Sequence, residues 1–110
     1  MALQKAYDRF GDTFPVAYHW ISDVIFNFRE KRVEIYITIH ITDALRQASR
    51  ELVDKKTFIV ANTIDPITGL PINDFDTYFS TLNLTNQHPV AICYKYIKDK
   101  IAYYGDAANV

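Results

Sequence analysis

The chain has 110 residues, 12 of them Lys or Arg and 13 Asp or Glu, for a net charge of −1; 49% of residues are hydrophobic and 15% aromatic. That length holds one domain, residues 1–110, and excludes two of ordinary size. The charge balance excludes the strongly basic surface that nucleic-acid binding usually needs, and a lone cysteine, Cys93, excludes an internal disulfide scaffold.

The opening residues contain Lys5, Asp8, Arg9 and Asp12, so they do not read as a secretion signal. No apolar run approaches the roughly 18 residues of a membrane span. The expected partners therefore include neither nucleic acid nor membrane, and the free thiol suits a reducing compartment. Without a secretion signal, the "NLT" at Asn83–Thr85 reads as a chance glycosylation match.

The chain opens with a short strand, Ala2 to Asp8, and a turn at Gly11-Asp12. Val16 to Phe28 alternates as a second strand, with Tyr18, Trp20, Val24, Phe26 and Phe28 taken as one set. "REKR" at Arg29–Arg32 reads as the turn, in a four-residue loop rather than a tight primed one. "KRVEIYITIHIT", Lys31–Thr42, is the strongest strand signal: Val33, Ile35, Ile37, Ile39 and Ile41 take every second place. Pairing Phe28 with Val33, Phe26 with Ile35, Val24 with Ile37 and Trp20 with Ile41 sets apolar against apolar. Under that register Tyr18 and Trp20 are dry, while His19, Asp23 and His40 are wet.

Asp43 to Lys56 reads as a helix or irregular crossover, with Leu45, Ala48 and Leu52 at helical spacing. Thr57–Ile64 reads as another strand. Asp65–Asp76, with its prolines and Gly69, reads as an extended loop or wide turn. Thr85–Lys100 reads as the principal helix, with Pro89 in its first turn and Lys98 and Lys100 near its end. Ile101–Val110 forms a last strand or an arm. The expected fold class is α+β: a mostly antiparallel sheet with long hairpin strands and one C-terminal helix.

The histidines are the first candidates for chemistry. On the expected register His19 and His40 lie diagonally on one face, roughly 7–8 Å apart, with Asp23 beside them. Two His and an Asp are a possible zinc or iron ligand set, against the alternative of two ordinary imidazoles on a polar face. There is no HExxH and no GxSxG, the glycines are scattered, and the glycine loop lacks the alternating oxygens of a calcium site. Cys93 and His88, five apart on the expected helix, point in different directions, so Cys93 reads as a buried apolar residue. No cofactor, metal or catalytic residue is assigned. The tyrosines exceed what one small core absorbs, which points to protein contacts; Tyr36, Tyr103, Tyr104 and Val110 are the candidate contact residues.

The order Gly11, "YHWI" (Tyr18–Ile21), "VEIYITIHIT", "DALRQASRE", "KKTFIVA", "YKYIKDK" and the closing "GDAANV" resembles short structural proteins of the late gene modules of tailed phages and prophages. Trp20 departs from the basic residue expected after the histidine, and Asn109 from an expected acid. The resemblance implies a non-enzymatic virion component of the tail tip, baseplate or fibre-attachment region. Such a component assembles in the host cytoplasm and contacts copies of itself and other tail proteins. A head–tail connector or neck component is the alternative of the same kind. A small metal-dependent enzyme at His19, His40 and Asp23, and an inhibitor module with one host partner, are alternatives of other classes.

Overall fold

The computed structural model describes residues 2–9, 12–40 and 52–109. Strands β1 (Leu3–Arg9), β2 (Asp12–Asn27), β3 (Arg32–His40), β4 (Leu52–Ile64), β5 (Pro71–Asn73) and β6 (Ala108–Asn109) make one sheet in the order β5-β4-β3-β2-β1-β6. Every pairing is antiparallel. Helices α1 (Asp74–Tyr78), α2 (Thr81–Asn86) and α3 (Pro89–Lys100) follow β5, and a 3-10 turn, Ala102–Tyr104, leads to β6. The class is α+β, as the patterning implies.

Val33, Ile35, Ile37 and Ile39 are buried on one face of β3 because period-two alternation sends them all to one side. They cluster with Val60 of β4, with Phe75, Ile92, Cys93 and Ile97 from the helices, and with Phe79 just after α1. Cys93 is fully buried, as its apolar surroundings in the sequence imply. Tyr7 of β1 donates a hydrogen bond to Asp54 of β4, although β2 and β3 lie between their strands. The sheet is therefore curled around this face, as twisted antiparallel sheets commonly are.

The hairpin of β2 and β3 exists, but its register differs from the expected one. Phe26 faces Val33 and Val24 faces Ile35, two residues off the expected partners, with the same parity. Phe28–Lys31 form a four-residue loop in which Asn27 Oδ1 accepts the Glu30 N–H at 3.1 Å and Lys31 takes φ 52°. A bulge at Ser22 then changes the parity, so that Ile21 faces Ile37 and His19 faces Ile39. His19 and Ile21 consequently point into the core, and Tyr18 and Trp20 point away from it. The expected assignment of faces on Tyr18–Ile21 is reversed.

Leu52–Lys56, expected in a helix or crossover, pair with β3 as strand; the rest of that segment, 43–51, lies outside the described residues. The 65–76 stretch holds β5 and α1 as well as a turn, in which Gly69 takes φ 70°. The helix expected over Thr85–Lys100 is present as α3, Pro89–Lys100, and two shorter helices, α1 and α2, precede it. Ser80 caps α2 by accepting the Asn83 N–H, and His88 caps α3 by accepting the Val90 N–H, with Pro89 in its first turn. Of the tail, Ala108 and Asn109 do form a strand, against Gln4 and Leu3 of β1.

Candidate functional site

The bulges leave backbone groups without ladder partners, and buried orphans of that kind are costly. Tyr94 and Tyr103 from the C-terminal third, and His19 of β2 itself, supply the missing bonds. The Ile21 N–H, next to the Ser22 bulge, donates to Tyr94 Oη at 2.9 Å. Between β1 and β2 the register also shifts, in a stretch where Pro15 has no N–H to offer. The carbonyls of Lys5 and Ala6 there accept from His19 Nε2 and Tyr103 Oη respectively. The Ser22 hydroxyl itself reaches the Tyr36 carbonyl at 3.3 Å.

His19 is fully buried, with Nε2 3.1 Å from the Lys5 carbonyl and Nδ1 2.8 Å from Tyr104 Oη. A carbonyl only accepts, so Nε2 carries the proton, and Nδ1 accepts the Tyr104 hydroxyl. Burial holds the imidazole pKa down at about 4, and the nearby charges of Lys56 and Lys5 lower it further against the opposing Lys5 carbonyl bond. The ring is neutral at pH 7. Lys56 Nζ lies among the same rings, 4.4 Å from the centre of Tyr103, 5.3 Å from Tyr7 and 5.7 Å from Tyr104. Burial lowers its pKa, opposed by Asp54. Burial also raises the hydroxyl pKa of Tyr104, and pushes the Cys93 thiol up to about 12.

The three residues of the candidate metal set are not brought together. His19 lies on the inner face, while Asp23 and His40 lie on the outer one, where Asp23 is opposite Tyr36. His40 Nε2 is 3.0 Å from the Thr38 hydroxyl. Among the described residues no group of three His, Cys, Asp or Glu is placed to hold a metal ion. The Ser22 bulge is the physical reason: it turns His19 away from the face that Asp23 shares.

Of the candidate contact residues, Tyr104 is wholly buried and offers no surface to a partner. Its hydroxyl and ring belong to the His19 network. Tyr103 is half-buried, with its hydroxyl on the Ala6 carbonyl. Tyr36 is half-buried on the outer face and donates to Glu34 at 2.8 Å. Val110 lies outside the described residues.

The opposite end of the sheet carries apolar side chains left largely exposed by the described residues. Ile64, Ile67, Leu70 and Ile72 surround the β4–β5 reversal with exposures of 69%, 92%, 65% and 37%. The turn is internally bonded: Asp65 Oδ1 accepts the Ile67 N–H at 2.8 Å, and the Asp65 carbonyl accepts the Gly69 N–H at 2.8 Å. Its shape is held locally, so its apolar side chains are not required for folding it. Beside it, β5 pairs only with Asn62–Ile64 of β4, so the outer edge of β4 from Leu52 to Ala61 has no strand partner among the described residues. Ile59, at 49% exposure, stands on that uncovered stretch. None of these residues is among the expected contact residues, although "IDPITGLPI" holds four large apolar residues in a stretch too short to bury them. An apolar-rich turn is the signal that would have found it.

Comparison of the chain with protein-family models, with curated proteins and with solved structures finds no match.

Proposed function

We propose that this chain is a non-enzymatic structural subunit of a tailed-phage virion, placed in the tail tip, baseplate or fibre-attachment region. It acts by contact with copies of itself and with other tail proteins. The observation that carries this reading is the locally braced β4–β5 hairpin with Ile64, Ile67 and Leu70 more than half exposed. Clustered apolar groups on a surface mark contact sites, and the adjacent uncovered stretch of β4 provides backbone donors and acceptors for a neighbouring chain. A hairpin at one end of the sheet fits a different surface on the next copy, which is the heterologous contact that builds rings. Lys55 and Lys56 on the other half of the edge limit uncontrolled pairing there.

The non-enzymatic part is supported by the state of the reactive groups. His19 is neutral, enclosed and bonded at both nitrogens. The Cys93 thiol is enclosed and far from ionising. The test is quantitative mass spectrometry of purified particles from cells carrying the gene. The expected result is this chain at a fixed copy number per particle, and its absence from particles overturns the proposal. The position of its density by cryo-microscopy separates the tail tip from the neck.

A further inference from the structure

The outer face of the sheet carries a cleft of about 580 Å³, at the Ser22 bulge, that the network described above does not use. Its size falls in the range of about 300–1,000 Å³ typical of small-molecule sites. The bulge makes it: Trp20 faces Thr38 and Asp23 faces Tyr36, so an indole and a carboxylate three positions apart share one side of β2. Lys55 and Thr57 of β4, opposite Thr38 and Tyr36, close the other side. The floor is formed by Thr38 and His40, which are buried although they point away from the core.

The polar groups around this cleft differ from those inside. The Trp20 indole N–H, the Asp23 carboxylate, the Lys55 ammonium and the Thr57 hydroxyl make no side-chain hydrogen bond or ion pair among the described residues. Donors and acceptors of both kinds thus converge on an aromatic surface without partners of their own. Lys56 also lines the cleft, but its ammonium is turned to the inner face over Tyr103, and the charges of Asp23 and Lys55 cancel, so the cleft draws neither anion nor cation strongly. Asp23 and Lys55 are both exposed, so pairing them with a zwitterion gains little against water. A ligand with an apolar face for the indole and hydroxyls around its rim fits all four groups: hydroxyls donate to Asp23 and accept from Trp20 and Lys55.

We propose that the cleft between Trp20, Asp23, Lys55 and Thr57 binds a neutral saccharide, with one sugar ring on the Trp20 indole. This inference rests on the cleft alone and not on the virion reading. Trp20 is the one tryptophan of the chain, so its fluorescence reports on the cleft directly. The experiment titrates the full chain with maltotriose, triacetylchitotriose and lactose, and with glucose 6-phosphate and γ-aminobutyrate as the anionic and zwitterionic arms. Concentrations run to about 50 mM, well past the ~1 mM expected of a weak small-ligand site. The expected result is a saturable change with at least one neutral sugar. Asp23→Asn and Lys55→Met, both exposed, leave the circular dichroism unchanged, and Asp23→Asn weakens binding about tenfold, the loss of one charge-assisted hydrogen bond. No saturable change with any neutral sugar overturns the proposal. Tighter binding of glucose 6-phosphate or γ-aminobutyrate overturns it too, as does affinity unaltered in both variants.

Discussion

Two regions of this protein treat polar and apolar groups in opposite ways. At the bulged corner of β1 and β2, interruptions of the ladder are matched by side chains: Tyr94 on the Ile21 N–H, His19 on the Lys5 carbonyl, Tyr103 on the Ala6 carbonyl. At the β4–β5 hairpin the backbone is braced locally, and the large side chains are left in water. The first region spends its aromatic residues on holding the fold together. The second keeps apolar surface that the fold does not require. A change in the corner should therefore alter stability and leave association alone, and a change in the hairpin should do the reverse.

The largest expected effect comes from pH at the corner. Folded His19 resists protonation down to about pH 4, while an unfolded imidazole takes its proton near 6.5. Its folded-state pKa is depressed, so the unfolded state binds more protons between those values. Stability is unaffected by this group above pH 6.5, and falls by about 1.4 kcal/mol per pH unit below it, on the order of 3 kcal/mol by pH 4. Urea unfolding at a series of pH values measures the slope. His19→Gln should remove that share of it while lowering stability at pH 7. An unchanged slope would mean that His19 is not held neutral by burial.

Tyr94→Phe should cost about 2 kcal/mol, because the Ile21 N–H is then left unbonded in the interior. Thermal or urea unfolding checks it, and a loss below about 0.5 kcal/mol would show that the bulge is satisfied some other way. In the β2–β3 loop, Lys31→Gly should gain about 1 kcal/mol, since Lys31 sits at φ 52° where a Cβ is disfavoured. A loss of stability in that variant would argue against the four-residue loop. The smallest expected change in stability, within about 0.5 kcal/mol, belongs to Ile67→Asp with Leu70→Asp. Both side chains are largely in solvent already.

The alternation of Val33 to Ile39 made β3 and its buried face legible, because four β-branched residues at period two send one continuous apolar face to the core. At Tyr18–Ile21 the same periodicity points to the wrong face. Both parities there contain bulky side chains, and the aromatics outrank a histidine as core candidates. A bulge at Ser22 carries no mark in the sequence, since serine is not required by it. His19 is tolerated inside only because Tyr104, 85 positions away, and the Lys5 carbonyl, freed by a second irregularity, meet its two nitrogens. Neither partner follows from local pattern. The candidate metal set failed for the same reason, and so did the assignment of Tyr104 to the surface. The apolar hairpin was legible in principle but was absorbed into a loop by its proline and glycine residues.

The role proposed for the β4–β5 hairpin is in assembly and not in folding. It is tested most directly by producing particles with the Ile67→Asp, Leu70→Asp chain in place of the original and measuring how much of it they contain. The expected result is a chain with an unchanged melting temperature that is largely missing from the particles. Incorporation equal to that of the original chain would contradict that role.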